Sequence, residues 1–315
     1  MRYAVGVDLG ATWVRVALID EHGTILQKMA ETIVRSGDAA VVGEQIVKLF
    51  YSLDLAGVEV DGVGIGSAGP LNIKKGTLIN PTNMPWSLVP LVKPISKDLG
   101  LPTYLLNDCT IAVMGERAYG AGEGLDDLVY ITLSTGIGGG AYVDGHLLIG
   151  TGKTTVEIGH IVIDYNGRLI CGCGKRGHWE AYCSGRNIPL FAQMWLKEAG
   201  ERWVHGEITP KLVYGLAKRE DSKAIQIVEA IGKLNAMGIA TVINVYDPSL
   251  VTIGGGIAVK NPDLVLGPIK RHVAEYTVNR VPPIEITSLG ANIGLLGAAA
   301  LAFHPEDYLR WISKN

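Results

Sequence analysis

A layout of strand, glycine turn, strand, Asp/Gly turn and strand occurs twice in this chain. A duplication of that kind constrains the fold more tightly than composition does. The first copy runs from Tyr3–Leu9 through Gly10 to Trp13–Ile19, then through the turn Asp20-Glu21-His22-Gly23 into Thr24–Lys28. The second runs from Val129–Leu133 through the glycine-rich stretch Ser134–Gly140 to Ala141–Val143, then through Asp144-Gly145 into His146–Ile149. The copies share layout and little residue identity. Alternating helix and strand patterns follow them. Asp38–Leu53 reads as a helix with Val42, Ile46, Leu49 and Leu53 on one face, Val60–Ile65 and Pro102–Leu106 as strands, and Thr110–Tyr119 as a helix. Further on, Ser222–Val245 reads as a long helix closed by Asp247-Pro248, Leu250–Ile253 as a strand, and Gly294–Phe303 as a small-residue helix. Two α/β lobes with a cleft between them are the simplest architecture for this pattern.

Composition narrows the function classes. The chain has 315 residues, more than the roughly 100–200 of one domain. Its formal net charge is −3 and no basic block stands out, which excludes an electrostatic nucleic-acid footprint. No secretory apolar segment follows Met1-Arg2, and the charge-free stretch Leu289–Phe303 is short and punctuated by glycine. A cytoplasmic protein with no membrane and no nucleic-acid partner is expected. Cys171 and Cys173, one residue apart, suit a shared metal better than a disulfide to each other. The 41 glycines are about twice the average share of ~7%, and they cluster where chemistry can be argued.

Asp8-Leu9-Gly10-Ala11-Thr12 lies between two strands. A tight turn there lets backbone N–H groups approach a phosphate, with Asp8 able to hold Mg²⁺ directly or through water; an ordinary hairpin with a surface Asp reads equally well. Ser134–Gly140 has the makings of an anion nest, the alternative being a flexible loop. Neither stretch is a P-loop, since no Gly-x-x-x-x-Gly-Lys-Ser/Thr string exists. Asn107-Asp108 closes a strand, where ligands of α/β proteins bind and where an Asp can take a proton from an attacking hydroxyl. By position alone, the capping of the following helix explains the pair better. His160, Cys171, Cys173 and His178 offer two imidazoles and two thiolates, the donor set of a closed structural Zn²⁺ site. Glu157 and Glu180 bracket this segment, and Asn80, Asn83 and Trp86 are of the kind that line a sugar site.

These segments together resemble the ROK family of sugar kinases and repressors, in the actin/hexokinase superfamily. Val7–Thr12 is similar to its first phosphate motif, Gly64–Pro70 to its sugar-side glycine turn, and Pro81–Trp86 to its Asn…Trp motif. Asn107-Asp108, Leu133–Gly140, Glu157-Ile158-Gly159-His160 and Cys171–Glu180 resemble the base pair of residues, the second phosphate motif, the Glu-x-Gly-His motif and the zinc signature. Gly254-Gly255-Gly256 and Ala291–Ala299 resemble adenosine-side segments. Ala11 stands where the family usually has Gly, Ala68 where Pro is common, and His178 where the third zinc Cys is usual.

The resemblance implies a two-lobed actin/hexokinase-like, ribonuclease H-like fold with a duplicated α/β core. It implies a smaller lobe over residues 1–117 with a helix at about 300–315, and a larger lobe over 118–299. It implies an ATP-dependent hexokinase or glucokinase, with N-acetylhexosamine or fructose phosphorylation as the alternative and a non-catalytic sugar sensor as the different-class one. Asp108 would be the base. Gly69, Asn83, Asn107, Asp108, Glu157, His160 and Glu180 would bind the hexose. Asp8, Gly10, Ala11, Thr12, Thr135, Gly136, Gly255 and Gly256 would bind ATP and Mg²⁺. His160, Cys171, Cys173 and His178 would hold structural Zn²⁺, and a homodimer or larger assembly is implied. The phosphate turns lie far in sequence from the zinc segment, so loss of the ion is expected to raise the sugar KM more than the ATP KM.

Overall fold

The structure is a computed structural model, and it describes residues 1–81, 83–150 and 155–314. It divides into two compact units. The first comprises Met1–Asp126, Gly140–Thr155 and Ala291–Asn315; the second comprises Asp127–Gly139 and Val156–Gly290. The first unit runs on to Asp126, past the 117/118 boundary read from the sequence, and also takes in Gly140–Thr155 and a C-terminal part that starts at Ala291.

The first unit is built on strands β1 (Tyr3–Leu9), β2 (Trp13–Asp20), β3 (Ile25–Thr32) and β4 (Val60–Ser67). A small three-stranded sheet of β5 (Leu71–Asn72), β6 (Thr77–Ile79) and β7 (Leu88–Pro90) precedes β8 (Thr103–Asn107). The main sheet runs β3-β2-β1-β4-β8. β1 pairs antiparallel with β2 and parallel with β4, which pairs parallel with β8. Strands buried on both faces read as continuous apolar runs, which is why β1 and β4 were legible. Helices α1 (Val41–Tyr51) and α2 (Val92–Leu99) pack on each other, and α3 (Asp108–Tyr119) follows β8 directly.

The second sheet repeats the plan. Its strands are β9 (Leu128–Leu133), β10 (Ile137–Val143), β11 (His146–Leu147), β12 (Leu250–Gly254) and β13 (Ile284–Ile286), in the order β11-β10-β9-β12-β13. As in the first sheet, two parallel neighbours stand on one side of the founding strand. The chain passes from the second unit to the first along β10, between Gly139 and Gly140. The second unit carries helices α4 (Glu180–Cys183), α5 (Ile188–Glu198), α6 (Pro210–Ala217), α7 (Ser222–Tyr246), α8 (Gly256–Lys260) and α9 (Pro262–His272). α7 is long and apolar enough by length and composition to cross a membrane. It buries Ile227, Ile231, Ile239 and Ile243 and packs on α6 and α9, as a core helix does.

The first unit is completed by α10 (Ile293–Phe303) and α11 (Glu306–Lys314). α10 is buried from Leu295 to Phe303 and packs on β1, β4 and α3. Gly6 and Gly64 stand opposite each other in the β1–β4 register. A Cβ at Gly6 would strike the Leu295 carbonyl, one at Gly64 the Ala298 carbonyl, and one at Gly297 the Ile111 carbonyl of α3. Backbone meets backbone at all three places, so nothing can rotate aside. Gly64→Ala is expected to cost about 3 kcal/mol or more, the upper part of the usual overpacking range. A chemical melt would read this as a lower midpoint at unchanged slope.

Candidate active site

The topology gathers the candidate residues into two groups, one in each unit. In the first unit, Leu9, Ser67 and Asn107 are register neighbours across the parallel strands β1, β4 and β8. Asp8, Gly69 and Asp108 therefore share the carboxyl edge of one sheet, where α/β proteins bind ligands.

Asn107, not Asp108, is the N-cap of α3, its side chain accepting the Cys109 N–H at 2.9 Å. Asp108 is left as the first helical residue, where its Oδ1 shares the same N–H. The capping explanation thus fits Asn107 and leaves Asp108 for another role. Asp108 is reachable by water yet ringed closely by protein. That partial loss of solvent pushes its pKa above 3.8; the Asp8 carboxylate pushes it further, and the Cys109 N–H opposes both. Gly69 is beside this pair, its absent Cβ lying 3.9 Å from Asn107 Nδ2.

Asp8 forms an ion pair with Arg15 on β2, and Arg15 Nη1 donates to the Ala291 carbonyl at 2.8 Å. The first turn of α10 backs Asp8 from behind; a Cβ at Gly294 would lie 3.1 Å from its Cγ. In the turn Gly10-Ala11-Thr12, the carbonyls are the tied groups. Asn83 Nδ2 donates to Gly10 O at 3.2 Å and to Ala11 O at 3.1 Å, and the Ile33 N–H donates to Thr12 O at 2.9 Å. A planar trans peptide points its N–H opposite to its C=O, so the Ala11 and Thr12 N–H groups face the other way. Asn83, expected at the sugar, is found bracing this turn. Ala11 takes no left-handed φ, so the missing Gly costs the turn nothing. Arg15 was missed in sequence, though one charge inside the apolar run Val14–Ile19 was a signal.

In the second unit, β9 and β12 end side by side, and the turns Ser134-Thr135-Gly136 and Gly254-Gly255-Gly256 leave from those ends. Gly255 has φ +87° and passes too close to the Leu133 carbonyl for a side chain. The turn is shorter than expected: from Ile137 onward the glycine-rich stretch is strand β10. Glycine at 139 and 140 serves packing instead. A Cβ at Gly139 would lie 2.7 Å from Ile158 Cδ1, and one at Gly140 would strike the Cys109 carbonyl. Only Ser134, Thr135 and Gly136 remain as a turn.

His160, Cys171, Cys173 and His178 bring one ligand atom each to within 4.8 Å of one another. His160 Nδ1 and His178 Nδ1 are 3.2 Å apart, Cys173 Sγ and His178 Nδ1 3.3 Å, and Cys171 Sγ and His160 Nδ1 3.7 Å. Tetrahedral bonds of about 2.0–2.3 Å place donors at such spacings. Burial first, and His160 next, keep His178 below its ordinary pKa, which favours the neutral ligand form. Burial pushes the Cys171 thiol up to about 12, a shift that a divalent cation reverses, because a coordinating thiol is deprotonated. His160 Nε2 lies 3.8 Å from Glu157 Oε2, near it but beyond hydrogen-bond reach. The hairpin Cys171–Lys175 turns on Gly174 at φ +85°. Trp179, fully buried and donating to Asn235 at 2.8 Å, anchors the chain between His178 and Glu180. Neither Trp179 nor Asn235 was signalled by any motif. The donor set fits a structural metal ion, and Glu180 stands at its border.

The ROK family model matches residues 4–304. A glucokinase of Pyrobaculum calidifontis is 37% identical over 306 residues, which is 97% of this chain and 97% of that protein. A ROK family glucokinase of Streptomyces griseus, solved with glucose and AMPPNP, is 30% identical with a TM-score of 0.76, covering 96% of this chain and 99% of that one. A ROK hexokinase of Thermus thermophilus superposes with a TM-score of 0.81 at 28% identity, over 96% of this chain and 98% of that one.

Proposed function

The chain belongs to the ROK family and is an ATP-dependent hexose kinase of the glucokinase type, and we propose that Asp108 is the base that activates the 6-hydroxyl of glucose. The observation that carries this assignment is the carboxylate at the end of β8, relieved of capping by Asn107 and raised in basicity by its surroundings.

The hexose hydroxyl gives its proton to Asp108 as its oxygen forms a bond to the γ-phosphorus, and the bond from that phosphorus to the bridging oxygen of ATP breaks, leaving ADP. Little covalent work falls to the protein in such a transfer; positioning and charge stabilisation dominate. The Ala11 and Thr12 N–H groups serve phosphate in the first unit, and Thr135 and Gly136 do so in the second. Gly255 and Gly256 take the adenosine side. Asp8 would hold Mg²⁺, which when bound neutralises charge on the transferring phosphoryl. Asn107, Glu157, His160 and Glu180, with the backbone at Gly69, bind the sugar. His160, Cys171, Cys173 and His178 would hold Zn²⁺, which would brace the loop and take no part in the chemistry. The protein works in the cytoplasm as a homodimer or larger assembly, which light scattering would measure.

An ADP-release assay over glucose, mannose, fructose, N-acetylglucosamine and N-acetylmannosamine tests the substrate. Glucose is expected to lead in kcat/KM by about tenfold or more, the discrimination that one substituent in a shaped pocket provides. An N-acetylated hexosamine or fructose at the head of the series would replace this assignment.

A further inference from the structure

Within the second unit, one short segment grips the turn after β9 from a single side. The Gly185 N–H donates to the Ser134 carbonyl at 2.7 Å, and the Arg186 N–H to the Thr135 carbonyl at 3.2 Å. With those two carbonyls drawn toward residues 185 and 186, peptide planarity turns the Thr135 and Gly136 N–H groups the opposite way. The far end of the turn is fixed by a side chain: Glu180 Oε2 accepts the Ile137 N–H at 2.9 Å. A hydrogen bond to an ionised carboxylate is stronger than one between neutral groups. The fit is close, since a Cβ at Gly136 would come within 2.7 Å of the same oxygen. Glu180 Oε1 lies 3.5 Å from Cys171 Sγ, and Glu180 follows His178 by two residues.

We propose that Glu180 is a positioning residue for the phosphate turn. Its carboxylate holds the Thr135 and Gly136 N–H groups toward the nucleotide and joins the turn to the Cys/His loop. This rests on reading Ser134–Gly136 as a nucleotide turn. The role is separate from any contact of Glu180 with the sugar. It also reverses the expectation that the Cys/His loop matters mainly to sugar: the loop and the turn are distant in sequence and adjacent in space. Disturbing the loop is expected to weaken ATP binding as well.

The test titrates Mg·AMPPNP calorimetrically into protein without hexose, with metal content measured on every sample. Glu180→Ala is expected to raise the Kd about tenfold, the effect of one lost hydrogen bond to a charged group. Glu180→Gln, whose neutral amide oxygen accepts the same N–H more weakly, is expected to show a smaller rise, about two- to fivefold. Amide hydrogen exchange supplies a second reading: the Ile137 amide should lose protection in the Ala variant and keep it in the Gln variant. A metal-replete Glu180→Ala protein with wild-type nucleotide affinity, or with unchanged Ile137 exchange, overturns the proposal. If Glu180→Ala does not fold, Glu180→Asp takes its place, because the shorter side chain keeps the charge but not the reach and should show the same loss. Wild-type protein that binds no nucleotide would instead remove the reading of the turn, while the exchange result still judges the hold of the carboxylate.

Discussion

Asp108→Asn should lower kcat by about 10²–10⁴-fold while leaving hexose binding nearly intact, the loss typical of removing a general base. The fold should survive, because Asn107 caps α3 and an amide oxygen at 108 can still accept the Cys109 N–H. Direction of pKa gives two further readings. The folded protein disfavours the charged form of Asp108, so its pKa is raised above 3.8. The base must be ionised to work. Activity should therefore rise with pH along an acid limb displaced upward from that of an ordinary aspartate, and this limb should vanish in the Asn variant. For stability the sign is opposite. A group with a raised folded pKa costs stability once pH exceeds its unfolded value, so Asp108→Asn should melt at or above the wild-type temperature at neutral pH. An Asn variant within about threefold of wild-type kcat would remove Asp108 from the role of base.

The second large effect belongs to the Cys/His cluster. Cys173 is exposed, so Cys173→Ser removes almost no core packing and its consequences report on the metal. The variant should release the ion and lose about 3 kcal/mol or more, since binding free energy at a structural site is folding free energy. For a unit of this size that is a drop in Tm of roughly 6–12 °C. Elemental analysis of wild-type protein purified without chelator should find about one zinc per chain, by the ligand count. Sugar KM should rise because Glu157 and Glu180 lose their support, and nucleotide affinity should fall with it. Metal-free protein with full activity and unchanged melting would end the zinc assignment and the substitution of His178 for a third Cys.

The inner strands β1, β4, β9 and β12 were legible because their two-sided burial leaves apolar runs, and the duplicated layout foretold a repeated plan; the sheet order, and the two- and three-residue strands β5, β6 and β13, left no such signal. Element edges were less legible. Asp38 looks like the start of a helix, but α1 begins at Val41, while Asp38 accepts the Ala40 N–H and closes a turn before it. The glycines after Gly136 looked like one loop, because sequence does not separate a glycine that frees the backbone from one that makes room for a neighbour. Gly140 is of the second kind, and the neighbour it admits is Cys109. Donor types and spacing foretold the Cys/His set. What Asn83 touches was not readable, since its partners are backbone carbonyls 72 and 73 residues away.

The seam of Gly6, Gly64 and Gly297 also sets an order of events during synthesis. Every strand of the first sheet has been made by Asn107, but α10, which lies flush on that sheet, is encoded after Val156–Gly290. At about 5–20 residues per second, the nascent sheet waits roughly 10–40 s for its covering helix. In that interval the second unit gains all its segments, so the later-made unit can close first. Until then the Gly6–Gly64 strip of the earlier one has no helix to cover it.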